Sequence, residues 1–115
     1  MLRGELRLAD LDPVRGNEAN KRRPVVIVSN DRANSVAARL GRGVVTVVPI
    51  TSSTARVFPF QTLLSASATG LWQDSKAQAE QVRSIAVERP GAVLGQVPSD
   101  VMAQLDDALR LHLQL

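Results

Sequence analysis

The chain has no cysteine, a single histidine, no tyrosine, two phenylalanines and one tryptophan. Without cysteine, neither a disulfide framework nor a thiolate zinc site can form, which fits a reducing cytoplasm better than a secreted setting. With His112 as the only imidazole, a mechanism that needs two histidines as acid and base is excluded by count. No cluster of His and carboxylates has metal-ligand spacing either. No metal and no cofactor is therefore expected, and any chemistry must work by positioning and charge. Long apolar runs are also missing. The longest are Val25 to Val28 and Val44 to Ile50, interrupted by Thr46, far short of the roughly 18 to 20 residues that span a bilayer. Arg3, Glu5 and Arg7 stand where a signal peptide needs an apolar stretch, so neither membrane association nor export is expected.

What is present fits one compact domain over residues 1–115. Hydrophobic residues make up 44% of the chain and charged residues 22%, enough apolar surface to offset the entropy of ordering it. The net charge of +3 is unevenly spread: residues 1–60 hold ten Lys or Arg against five Asp or Glu, and residues 61–115 hold four against six. A polyanion would sit against the basic half.

Hydrophobic spacing predicts the elements. Residues 4–11 alternate as a half-buried strand, and Asp12 to Arg23 is a polar surface loop. Pro24 opens the β-branched run to Ser29, apolar on both faces and hence a central strand. Ala33, Val36, Ala37 and Leu40 share one face of a short helix ended by Gly41. Gly43 to Ile50 is the strongest strand. Arg56 to Phe60 and Thr62 to Leu64 read as two arms of a strand or hairpin, with Pro59 at an edge or bulge. A turn at 68–70, a helical turn at 75–80 and a last long strand over 81–87 follow, and Pro90-Gly91 and Gly95 act as breaks. The final helix takes Ser99 as N-cap and presents Val101, Leu105, Ala108, Leu109 and Leu113 on one face. Five or so short strands without a βαβ rhythm imply a mainly β fold, a small, partly closed barrel with helices packed outside.

Several polar groups draw notice. Lys21, Arg22 and Arg23, with Arg15, place four positive charges on or beside one loop, a solvated surface or a phosphate site. Pro24 restricts Arg23 to extended backbone and so fixes a guanidinium, whose planar fork suits phosphate oxygens, at a strand's start. Thr51, Ser52, Ser53 and Thr54 end the strongest strand, where hydroxyls close a turn or donate to a phosphate. Asp74, Lys76, Gln81 and Arg83 flank the last strand as a solvated face or as groups that read base edges. His112 sits where a cation offsets the final helix dipole, and Trp72 reads as packing over a loop or stacking on a ligand.

The order of these segments resembles the MazF/PemK toxin family. The likeness runs through Arg3-Gly-Glu5, Asp10-Leu-Asp-Pro-Val-Arg-Gly-Asn-Glu18, Lys21-Arg-Arg-Pro-Val-Val-Ile-Val-Ser-Asn-Asp31, Val48-Pro-Ile-Thr-Ser52, Asp74-Ser75, Glu80-Gln-Val-Arg-Ser-Ile85 and Leu105-Asp-Asp-Ala-Leu-Arg-Leu111. The resemblance implies an SH3-like barrel that forms a homodimer, binds single-stranded RNA in a groove along the dimer interface, and cuts it at a short base sequence. It also implies an antitoxin whose acidic, flexible tail fills that groove. The family's catalytic arginine matches Arg23, its threonine Thr51, and the acidic residue used by some members Glu18. Arg15, Lys21, Arg22, Ser52, Ser53, Asp74, Lys76, Gln81 and Arg83 are then expected along the RNA path. Arg7 stands where relatives carry an aromatic residue, and Glu5 replaces an Asp. The other readings are a non-catalytic barrel toxin or a binding module that docks a protein or nucleic acid.

Overall fold

The two β-branched runs set the frame, because residues apolar on both faces must lie between layers. A computed structural model, which describes residues 1–12 and 15–115, places them side by side. β1 is Glu5–Asp10, β2 Arg22–Ile27 and β3 Val44–Thr51, with α1 (Asp31–Leu40) between the last two. Val25 and Ile27 of β2 with Val45 and Val47 of β3 pack on one side, joined by Ala37 of α1 and Ile85. Val26, Val48 and Ile50 face the other way, onto Leu6 and onto Met102, Leu105 and Ala108 of the C-terminal helix α3 (Ser99–Leu113).

The remaining strands are β4 (Gln61–Leu64), β5 (Ser75–Gln78), β6 (Arg83–Ala86) and β7 (Pro90–Gln96), and a short α2 (Ala66–Thr69) follows β4. Pairing is antiparallel throughout, in the order β4-β5-β3-β2-β1-β7. β3 serves three partners: β2 along one side, and on the other β6 with its first half and β5 with its last two residues. The ladder does not close, since β4 and β7 are its two ends. Contact across the gap comes instead from α2 and Gly70, which lean on β7. The Thr69 carbonyl lies 1.9 Å from where a Cβ on Gly95 would stand, so only glycine fits there.

Several expectations are corrected. β2 starts at Arg22 rather than Pro24, because Arg22 and Arg23 pair with Asp10 and Ala9. Residues 56–60 form no strand arm. Phe58 and Phe60 stack at 5.3 Å between centroids and Gln61 hydrogen-bonds back to Phe58, so Pro59 lies in a turn. The segment expected to be a helical turn is β5, held between β3 and β4, and only Ala79–Gln81 turns as a 3-10 helix. The last strand is not 81–87: β6 covers four residues and β7 follows through the supposed breakers. Pro90 begins an edge strand, where a missing N–H costs nothing. In α1 the expected apolar stripe is only partly buried. Ala37 and Asn34 face the core while Val36 and Leu40 are exposed, and Asn34 is satisfied by Ser29. Ser99 is the first residue of α3 and Pro98 its N-cap. Among the described residues no helix is long and apolar enough to cross a membrane.

Candidate active site

The register of the two central strands dictates what meets at their ends. Val25 opposes Pro49 and Val26 opposes Val48, which carries Arg23 and Thr51 to facing positions just past the paired residues. Both line one concavity of about 320 Å³, together with Lys21, Arg22, Ser52, Leu71, Trp72, Gln73 and Ser75. The backbone at Lys21 is left-handed, φ 63°. Its amide donates to the Asp12 carboxylate at 3.1 Å and its carbonyl accepts from the Leu11 amide at 3.0 Å, so the cationic segment enters β2 on a fixed path.

Arg23 is held on one edge. Its Nε donates to the Asn20 carbonyl oxygen at 2.7 Å and its Nη2 to Asn20 Oδ1 at 3.2 Å. Among the described residues nothing is bonded to Nη1, so a positioned guanidinium keeps free donors for an anion. Thr51 Oγ1 accepts from the Ser53 amide at 3.3 Å, which leaves its hydroxyl hydrogen to donate outward.

The other expected site residues are placed elsewhere. Glu18 lies in an exposed turn, where its carboxylate accepts from the Arg15 amide at 3.2 Å, and neither residue lines the concavity. Ser53 lies beyond the lining. Asp74 accepts from the Ala66 amide at 2.9 Å and so caps the approach to α2. Lys76 is buried at 7% exposure, donates to the Arg56 carbonyl at 2.6 Å, and lies 5.8 Å from the Phe58 ring centre. Gln81 clamps the loop, accepting from the Ala19 amide and donating to the Asn17 carbonyl, both at 2.9 Å. Arg83 donates to the Leu11 carbonyl at 3.1 Å. Of the twelve expected residues the fold thus gathers five, Lys21, Arg22, Arg23, Thr51 and Ser52.

Sequence reasoning missed Asn20, Leu71 and Gln73. Asn20 is one polar loop residue among several, and no spacing marks it as the partner of Arg23. Trp72, read as a packing residue or a stacking one, is 92% exposed. His112 is exposed in the last turn of α3. Arg7 folds back onto Glu5 and the Gly91 carbonyl. Burial alone would raise the Glu5 carboxyl pKa. The Leu2 amide bond at 2.7 Å and the Arg7 guanidinium outweigh it and hold the group below its ordinary 4.5. Among the described residues no group of three or more His, Cys, Asp or Glu side chains is placed to hold a metal ion.

Comparison with known proteins gives a consistent picture. Residues 2–113 match the family model of PemK-like, MazF-like toxins of type II toxin-antitoxin systems. The chain is 64% identical to endoribonuclease MazF9 of Mycobacterium tuberculosis, over 100% of this chain and 98% of that protein. Among solved structures it is similar to MazF from Deinococcus radiodurans, with a TM-score of 0.79 and 26% identity over 100% of this chain and 97% of the other. It is also similar to a mycobacterial endoribonuclease in complex with its cognate antitoxin, with a TM-score of 0.78 and 25% identity over 100% and 96%.

Proposed function

The chain belongs to the PemK-like, MazF-like toxins of type II toxin-antitoxin systems, and from that premise we propose that it is an endoribonuclease that cuts single-stranded RNA at a short base sequence without a metal, so inhibiting translation and growth. The observation that carries this reading is the placement of Arg23 and Thr51 on one open concavity, with Lys21 and Arg22 at its rim.

RNA brings its own nucleophile. Attack of a 2′-OH on the adjacent phosphorus requires in-line alignment, stabilisation of negative charge and proton transfer, and leaves a 2′,3′-cyclic phosphate and a 5′-OH. Arg23 directs its free N–H groups at the phosphorane-like oxygens, where its planar guanidinium brings positive charge and paired donors to the developing negative charge. Thr51 donates its hydroxyl to a non-bridging oxygen. The 2′-OH proton falls to Glu18, the backbone, water or Arg23 itself, and of these Glu18 lies outside the concavity. Lys21, Arg22 and Ser52 contact the flanking phosphates.

The active form in this reading is a homodimer, supported by exposed Val36, Leu40 and Val44 on and beside α1, apolar surface that a second copy would cover. The partner that silences it is an antitoxin with an acidic, flexible tail, because the same cationic concavity that accepts phosphates accepts carboxylates.

Arg23→Ala, assayed on RNA in EDTA, should lose roughly 10²–10³-fold in cleavage rate, the cost of removing a preorganised donor to a developing oxyanion. Undiminished cleavage would refute the assignment, and loss of wild-type activity on adding EDTA would overturn the metal-free mechanism.

A further inference from the structure

Trp72 is the only tryptophan in the chain and stands 92% exposed. The indole there presents a large flat π face to solvent. It follows Gly70, whose φ of 86° turns the chain out of α2, and it borders two hollows at once. With Arg23 and Thr51 it lines the cationic concavity. With Pro24, Gly70, Leu71, Val93 and Leu94 it walls a second, apolar hollow of about 170 Å³. The two hollows share Pro24, Leu71 and Trp72, so they form one continuous surface.

A cationic site joined to a flat apolar one repeats the alternation of phosphate and base along single-stranded RNA, in which unstacked bases settle on aromatic faces beside charged backbone contacts. We propose that the apolar hollow is a nucleobase subsite, with Trp72 supplying the stacking face for a base that flanks the phosphate held by Arg23 and Thr51. Val93, 53% exposed on β7, forms the far rim. The occupant is a base rather than an apolar side chain of a protein because the hollow opens directly onto three consecutive cations, Lys21, Arg22 and Arg23, and a phosphodiester must continue from it. This inference rests on the RNA-cleaving reading above and names where that reading holds one base.

The chain supplies its own probe. With no tyrosine and no other tryptophan, indole fluorescence reports on residue 72 alone. A 2′-O-methyl oligonucleotide pool, which lacks the attacking hydroxyl and stays intact, should quench that fluorescence in the wild-type protein. An oligomer of equal length with abasic sugars should bind without quenching. Trp72→Ala should bind the base-bearing pool about tenfold more weakly, and Trp72→Phe should stay near wild type. Since the indole is exposed, the alanine variant loses little packing. Equal quenching by the abasic oligomer, unchanged affinity in Trp72→Ala, or quenching by polyglutamate and not by the oligonucleotide would each overturn the subsite. Cleavage of unmodified RNA by wild type, and its loss in Arg23→Ala, decides the enzymatic reading separately. Failure there leaves the fluorescence titration to decide the subsite on its own.

Discussion

Replacing Gly95 with alanine tests how the open end of the barrel is held. Gly95 pairs with Leu6 of β1, whose side chain is fully buried, so β7 cannot retreat without disturbing the core. The added methyl would stand 1.9 Å from the Thr69 carbonyl oxygen and 3.1 Å from its carbon, well inside van der Waals contact. Both obstacles are backbone and cannot rotate aside, so α2 and Gly70 must shift. Overpacking costs about 1–3 kcal/mol and this contact belongs at the upper end; for a chain of this size about 3 kcal/mol lowers Tm by roughly 12 °C. The displaced turn carries Leu71, Trp72 and Gln73 of the site. Cleavage measured well below the melting point should therefore also fall, by up to about a hundredfold for a misplacement near an ångström. Gly91→Ala is the control on the same strand: its methyl meets only the Leu8 carbonyl, at 3.3 Å, and should change both quantities far less. The assays are thermal unfolding followed by circular dichroism and single-turnover RNA cleavage. A Gly95→Ala protein that melts within about 2 °C of wild type and cleaves normally would refute the packing argument.

Two further outcomes follow from the charges. Asn20→Asp keeps an acceptor on Arg23 Nη2 but makes it a carboxylate that competes with the phosphate, so single-turnover cleavage should drop roughly tenfold without loss of Tm. An unchanged rate would show that Asn20 does not set the guanidinium's field. Glu5, its carboxyl held below 4.5 by the Leu2 amide and Arg7 against the opposing effect of burial, contributes stability that is fully present above pH 4.5 and lost as pH falls below it. The Tm gap between wild type and Glu5→Gln should then be constant near neutrality and shrink below about pH 4.5; a gap that is flat with pH would remove Glu5 from the account.

The central strands and the last helix were legible because their own side chains decide them. Val25 to Val28 and Val44 to Ile50 are β-branched and apolar on both faces, and Leu105 and Ala108 fall on one side of a helix. What was illegible depends on neighbours. Ser75–Gln78 has no β-branched residue and looks helical, yet it is a strand because β3 and β4 offer backbone partners on both sides. Gly95 looks like a break and is instead a contact point with Thr69. At the site, the Arg23-Pro24 and Pro49-Ile50-Thr51 motifs lie on strands whose register brings them face to face. Asn20 acquires its role only once the loop has folded back, and Lys76 and Gln81, polar in sequence, are taken up in holding loops.

The left-handed backbone at Lys21 has an evolutionary corollary. A residue with a Cβ is strained there by roughly 1 kcal/mol where glycine is at ease, yet the position holds a lysine that lines the concavity. Breeding this protein for heat resistance alone would favour glycine at that position, and the hardier descendants would grip polyanions less firmly, a trade of affinity for robustness written into one torsion angle.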